Sequence, residues 1–380
     1  MIGNSMLFTP AALGPLTLRN RTIRAAAFEG MGRDHAPTQA LIDYHASVAA
    51  GGVGMTTVAY AAVAQGGLSF RTQLWLRPEI VPELRRLTEA VHREGAAASI
   101  QIGHCGNMSH RSICGGLPVS AVSGFNLYSP TFVRGLRTSE IRHLVSDFGR
   151  AVDLAHEAGF DAVEVHAGHG YLLSQFMSAW LNCRRDEYGG RLENRLRFAR
   201  EAVDGVVARA ARHRMAVLVK MNMRDGFKGG MEPDESLEAA RMLERCGAHA
   251  LVLSGGYVSR APMYVMRGAM PLRTLTHYMP RGWLRAGVAL AGRWMIPAVP
   301  FEEGYFIEDA KPFRAAIRIP LVCLGGLSSR AVIERALDAG FEFVAMARAL
   351  IEDPAFVRRM REAEAQGRGA GYRSGCRHVN

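Results

Sequence analysis

Ala158-Gly159-Phe160-Asp161-Ala162-Val163-Glu164-Val165-His166-Ala167-Gly168-His169-Gly170-Tyr171 is the stretch on which the fold turns. Its Ala-Gly pair falls where an amphipathic helical pattern over 139–158 runs out, the place of a C-terminal glycine cap. A short apolar run of strand length, 162–166, follows and ends on three polar rings: His166, His169 and Tyr171. Two imidazoles and a phenol at the end of a buried strand supply hydrogen-bond donors and a weak acid side by side, which is how a catalytic cluster looks in sequence. A lone histidine there would read as a satisfied structural residue. The repeated spacing and the flanking glycines favour a site.

The same helix, glycine and strand rhythm recurs along the chain. Candidate strands are 22–27, 54–59, 97–102, 162–166, 216–221, 250–253, 319–324 and 343–346. Helical patterns follow most of them, over 38–50, 80–94, 139–158, 192–212, 233–246, 328–339 and 354–365. Ala-Gly or Cys-Gly pairs at 50–51, 158–159, 246–247 and 339–340 each stand between a helix and the next strand. Eight such units predict an α/β chain folded as a (β/α)8 TIM barrel, with an open doubly wound sheet as the alternative. In a barrel the chemistry sits at the carboxyl ends of the strands. Gln101, His166, Lys220, Ser254 and Arg348 all fall there.

Two segments interrupt the rhythm. Residues 105–138, rich in Gly, Ser and Pro, predict a long loop after strand three with a hairpin in it. Residues 255–309 form a longer insertion after strand six, carrying eight aromatics among prolines and glycines, and read either as a lid for substrate recognition or as a contact between copies. The expected organisation is one barrel domain over 1–365 and a tail over 366–380.

Composition narrows the function classes. The chain has 380 residues, 48% hydrophobic and 21% charged, within the range of one large globular domain. It shows neither a leader-like start nor an uninterrupted apolar run of membrane-spanning length, so a cytoplasmic protein without membrane partners is expected. Six cysteines without a C-x-x-C pair suggest free thiols, no metal site and no disulfide framework. The net charge is +11, but the arginines are scattered and form no stripe, which argues against nucleic acid and for an anionic cofactor or substrate.

A phosphate site is the second chemical signal. Cys323-Leu324-Gly325-Gly326-Leu327-Ser328 ends strand seven, and Ala345-Met346-Ala347-Arg348 ends strand eight. Glycines let backbone N–H groups approach an anion, and the loops after strands seven and eight are where barrels of this type bind phosphate. No G-x-G-x-x-G opens a helix after a strand, so a dinucleotide-binding Rossmann unit is not indicated. Phosphate donors at one end, with Lys220 and Gln101 at the other, suit a mononucleotide such as FMN.

These residues resemble the old yellow enzyme family of NAD(P)H:flavin oxidoreductases over nearly the whole chain. The likeness is carried by Leu7-Phe8-Thr9-Pro10 with Leu18-Arg19-Asn20-Arg21, the stretch 44–54, Gln101-Ile102-Gly103-His104, and His166 to Leu172. It continues through Arg185-Asp186-Glu187-Tyr188-Gly189-Gly190, Glu193-Asn194-Arg195, Gly325-Gly326, and Arg348 with Asp353-Pro354. The resemblance implies FMN as cofactor and NADH or NADPH as reductant. It implies that backbone groups of Ala25, Ala26, Ala27 and Phe28 line the flavin ring, that Gln101 and Lys220 contact it, and that Gly325, Gly326, Ala347 and Arg348 hold the phosphate. His166 and His169 would bind the carbonyl oxygen of an α,β-unsaturated substrate, and Tyr171 would protonate Cα after hydride passes from flavin N5 to Cβ. The expected activity is therefore reduction of a small-molecule enone or related activated alkene. The alternative is an FMN-dependent dehydrogenase, demethylase or desaturase of a dedicated metabolite. The strand-one position that commonly carries Thr or Cys in the family is Ala27 or Phe28 here, which leaves the direction open. One tail cysteine, Cys376, stands where larger relatives begin an iron–sulfur segment, but Val379 replaces a second, so no cluster is expected. Oligomeric state, a homo-oligomer included, stays open.

Overall fold

The computed structural model describes residues 5–127, 130–268 and 298–376, together with 282, 286–288 and 290. Eight parallel strands run β1 Thr22–Arg24, β2 Met55–Ala62, β3 Ala97–Gly103, β4 Ala162–Ala167, β5 Ala216–Asn222, β6 Ala250–Ser254, β7 Leu321–Cys323 and β8 Phe343–Met346. Each pairs with its sequence neighbour, and β1 pairs with both β8 and β2, which closes the sheet into a barrel. The helices α1 Gln39–Ala50, α2 Val81–Arg93, α3 Thr138–Glu157, α4 Leu192–His213, α5 Pro233–Arg245, α6 Ile307–Ala316, α7 Arg330–Asp338 and α8 Phe356–Ala365 surround it. The fold is the (β/α)8 TIM barrel that the rhythm predicts.

Side-chain alternation explains why these strands are buried on both faces. Val163, Val165, Val217, Val219, Leu251 and Leu253 face outward and pack beneath the helices. Ile23, Met55, Ala162, Leu218, Val252, Val322, Phe343 and Ala345 fill the interior, and a hairpin of residues 11–13 with 16–18 closes the lower end with Leu13 and Leu18. The inward positions one step higher are polar: Gln101, Glu164 and Lys220. The barrel is thus plugged with apolar side chains at the bottom and presents its charge at the top.

The helices follow from local chemistry. α1 starts at Thr38, whose hydroxyl accepts from the Leu41 N–H, a side-chain N-cap. α2 buries Val81, Leu84, Leu87, Thr88 and Val91, spaced at three and four residues, against the barrel. Among the described residues no helix is long and apolar enough to cross a membrane.

Some elements differ from the sequence expectation. β1 stops at Arg24, three residues early, because the chain from Ala25 leaves the ladder after its N–H bonds Met346 O at 2.8 Å. α6 begins inside the stretch read as insertion; Pro312 in its middle breaks the helical pattern that would reveal it. The segment 105–138 contains an antiparallel hairpin of Gly124–Asn126 and Thr131–Gly135. Of the 255–309 segment, residues 269–281, 283–285, 289 and 291–297 lie outside the described residues, as do tail residues 377–380. The nearer part of the tail crosses the start of α7, with Arg330 N–H donating to Tyr372 O at 2.8 Å and Ser374 N–H to Ser328 O at 2.7 Å.

Candidate functional site

β4 aims Ala162, Glu164 and His166 inward, and the backbone then turns sharply. His169 adopts φ 59° and Gly170 φ 79°. A Cβ at Gly170 would stand 2.5 Å from the Tyr257 ring, so only glycine fits there. A left-handed conformation for a histidine costs about 1–3 kcal/mol and persists only where its surroundings enforce it. Here the His169 N–H donates to Asn222 Oδ1 at 3.0 Å, and its carbonyl accepts from Val258 N–H at 3.1 Å.

The turn brings the three rings together. His166 and His169 stand edge to face with centroids 5.0 Å apart, and Tyr171 lies 4.5 Å from His166. The Gly168 N–H points at His166 Nδ1 from 3.4 Å, which leaves Nε2 as the protonated, donating nitrogen. His169 Nε2 lies 2.7 Å from Ser254 Oγ. Burial pushes the His169 imidazole down to about 3, with Lys220 adding to the shift. Burial, the neighbouring His169 and Lys220 hold His166 well below its ordinary value. Both rings are therefore neutral near pH 7, and a neutral imidazole has one N–H with which it can donate without carrying charge. Tyr60, Cys105 and Met108 form an apolar wall beside Tyr171 and Val258.

Lys220 stands opposite His166 in the β4–β5 register and is only 2% exposed. Its Nζ lies 2.8 Å from Glu164 Oε1 and 3.4 Å from Ala26 O. Gln101 Nε2 donates to the same Glu164 oxygen at 2.5 Å. One carboxylate therefore gathers both polar side chains on the barrel axis.

Beyond β1, residues 25–27 form a strap held from below. Arg24 Nη2 donates to Ala27 O at 2.9 Å and Nη1 to Thr57 O at 2.7 Å, and the guanidinium pairs with Glu29 at 2.7 Å. Burial pushes the Glu29 carboxyl up, but Arg24 and His45 outweigh it and hold it below the usual carboxylate range.

A cavity of about 400 Å³ opens above this layer, within the range of roughly 300–1,000 Å³ typical of small-molecule sites. Ala25, Ala26, Ala27, His169, Lys220, Gly325, Gly326, Ala347 and Arg348 line it, with Ser254 between. Val265, Met266, Phe301 and Tyr305 cover the end near Arg348. Gly325 and Gly326 have φ 103° and 70°; a Cβ on the first would meet the Phe306 ring at 2.7 Å and on the second Glu302 O at 2.8 Å. The cavity is lined by the alanines of residues 25–27 and by two basic side chains, Lys220 and Arg348. That is the donor set for a flat heteroaromatic ring with a phosphate tail, and FMN fits it.

The sequence-derived residues thus divide into four groups. Nine of them share the cavity wall. His166 and Tyr171 stand beside it through His169, while Gln101 lies beneath, bonded to Glu164. Phe28 is turned out, 48% exposed and stacked on Phe70 with centroids 4.8 Å apart. Glu164 and the Arg24–Glu29 pair are not among the residues singled out from sequence. An acid inside an otherwise apolar strand was the available signal, since carboxylates are almost never fully buried without a partner.

Comparison with known proteins adds three findings. A model of the NADH:flavin oxidoreductase / NADH oxidase family matches residues 6–285. The 4,4'-dithiodibutanoate disulfide reductase of Rhodococcus erythropolis is 44% identical over 98% of this chain and 91% of that protein; the NADH oxidase of Thermoanaerobacter brockii is 28% identical over 94% of this chain, which spans 50% of its length. The structure of the old yellow enzyme homologue from Zymomonas mobilis superposes with a TM-score of 0.75 at 25% identity, covering 94% of this chain and 92% of that one.

Proposed function

Because this chain belongs to the NADH:flavin oxidoreductase / NADH oxidase family, we propose that it reduces an activated double bond conjugated to a carbonyl in a small-molecule substrate. The family is FMN-binding, and relatives include NADH oxidase and NADPH dehydrogenase, so FMN is the cofactor and NADH or NADPH the reductant. Residues 25–27 and Lys220 address the ring of FMN, with Gln101 held beneath them by Glu164, and Gly325, Gly326, Ala347 and Arg348 address its phosphate. When bound, FMN supplies the hydride to the carbon β to the carbonyl. The remaining work falls to the chain. His166 and His169, neutral and fixed by Gly168, Asn222 and Ser254, donate to the carbonyl oxygen and stabilise the charge that develops on it. Tyr171, beside His166, gives its proton to the carbon α to the carbonyl.

The observation that carries this reading is the grouping of His166, His169 and Tyr171 at one edge of a cavity with Lys220 at its base. It is tested by reducing the FMN-loaded protein anaerobically with NADPH or NADH and adding 2-cyclohexenone; reoxidation with formation of cyclohexanone supports it, and a reduced cofactor that persists rejects it.

A second substrate class is favoured by the 44% identical relative, named for reduction of a disulfide. A hydride delivered to one sulfur of an S–S bond releases the other as thiolate, and the Tyr171 proton converts it to a thiol, so R–S–S–R with one hydride and one proton gives two R–SH. Adding 4,4'-dithiodibutanoate to the reduced protein separates the two readings. We also assign residues 1–365 to one barrel unit, with the 255–309 insertion as its substrate cover and 366–380 as a tail.

A further inference from the structure

Glu164 is a carboxylate inside the barrel that the chemistry above does not use. It lies on β4 two residues before His166, and its Oε1 accepts from Lys220 Nζ at 2.8 Å and from Gln101 Nε2 at 2.5 Å. Both partners reach it across the sheet from the neighbouring strands, β5 and β3, and Gln101 stands directly opposite it in the register. All three side chains are almost wholly buried. A buried carboxylate is retained only where its partners satisfy it, and the same holds for a buried lysine.

We propose that Glu164 is a positioning residue that sets how much positive charge Lys220 presents to the cofactor, and so tunes its reduction potential. This rests on the reading that FMN lies over residues 25–27, a placement to which Lys220 is tied through Ala26 O at 3.4 Å. A positive charge near the ring favours the reduced, anionic cofactor. Glu164 offsets that charge and fixes the direction of the Nζ, while Gln101 is held in place by the same oxygen. Replacing Glu164 by Gln keeps an oxygen to accept a hydrogen bond but removes the offsetting charge.

The test is the two-electron midpoint potential of the FMN-loaded protein, with sulfite affinity as a second readout because the adduct is also anionic. E164Q raises the reduction equilibrium at least tenfold, about 30 mV for a two-electron couple, and binds sulfite at least tenfold more tightly. K220M lowers both. The E164Q/K220M double variant, in which neither charge is left buried alone, returns to within threefold of the parent and keeps the inference decidable if a single variant folds poorly. A double variant that matches K220M, or an FMN-loaded E164Q with the parent potential and sulfite affinity, overturns the inference while leaving the flavin reading intact. A parent protein that takes up no FMN overturns both.

Discussion

His169 holds its imidazole Nε2 2.7 Å from the Ser254 hydroxyl while its own backbone sits in the left-handed region at φ 59°. The strained turn sets where the ring starts and the hydroxyl sets where it points. Ser254→Ala therefore leaves the turn intact and frees the ring. One hydrogen bond of this kind contributes about 0.5–1.5 kcal/mol, so substrate affinity falls roughly three- to tenfold while reduction by NADPH is unchanged. Stopped-flow measurement of the two half-reactions checks this; equal slowing of both assigns Ser254 to the cofactor instead.

Tyr171→Phe removes the proton and keeps the ring that packs on His166 and Tyr60. Loss of a general acid costs typically 10²–10⁴-fold, and the loss falls on the substrate half-reaction alone. A variant slowed equally in both half-reactions removes Tyr171 from the proton-donor role.

Stability should depend on pH through the buried imidazoles. His169 is pushed by burial down to about 3, against roughly 6.5 in an unfolded chain, so between those values the unfolded state binds more protons. The stability from keeping this ring neutral is full above about pH 6.5 and is lost as pH falls towards 3. His169→Gln removes that dependence, and its melting temperature falls less between pH 7 and 4.5 than the parent's, by about 2 °C or more. Parallel curves for the two proteins contradict the assignment.

The strap at 25–27 depends on the buried Arg24–Glu29 pair beneath it. Glu29→Gln leaves Arg24 without its counter-charge, and breaking a buried pair in this way costs about 3–5 kcal/mol. Urea unfolding reads the loss directly, and FMN affinity falls with it because Ala27 O loses its anchored donor. A variant with the parent's unfolding midpoint shows that the pair carries no net stability.

Much of this was legible in the chain, for identifiable reasons. The strands of a parallel barrel are buried on both faces, so runs such as 162–166 and 216–221 stand out as apolar blocks, and the glycines after the helices mark their ends. The glycines at 325 and 326 stand out in the sequence, and the close approach of Phe306 and of Glu302 O is what demands them. What escaped was structure specified by distant partners. α6 was hidden by Pro312 and by the aromatic segment before it. Glu164 lies in an otherwise apolar strand, and its partners Gln101 and Lys220, 63 and 56 residues away, meet it only when the sheet closes. The outward turn of Phe28 is likewise set by Phe70, not by its neighbours in sequence.

The most direct test of the central claim is the visible spectrum of the purified protein titrated with FMN and then, without oxygen, with NADPH and NADH. The account predicts a bound flavin spectrum at one FMN per chain that is bleached by one of the two nicotinamides and restored by substrate, with binding lost in a Gly325→Ala variant whose Cβ meets Phe306. A protein that stays colourless with excess FMN, or a bound flavin that neither nicotinamide reduces, contradicts it.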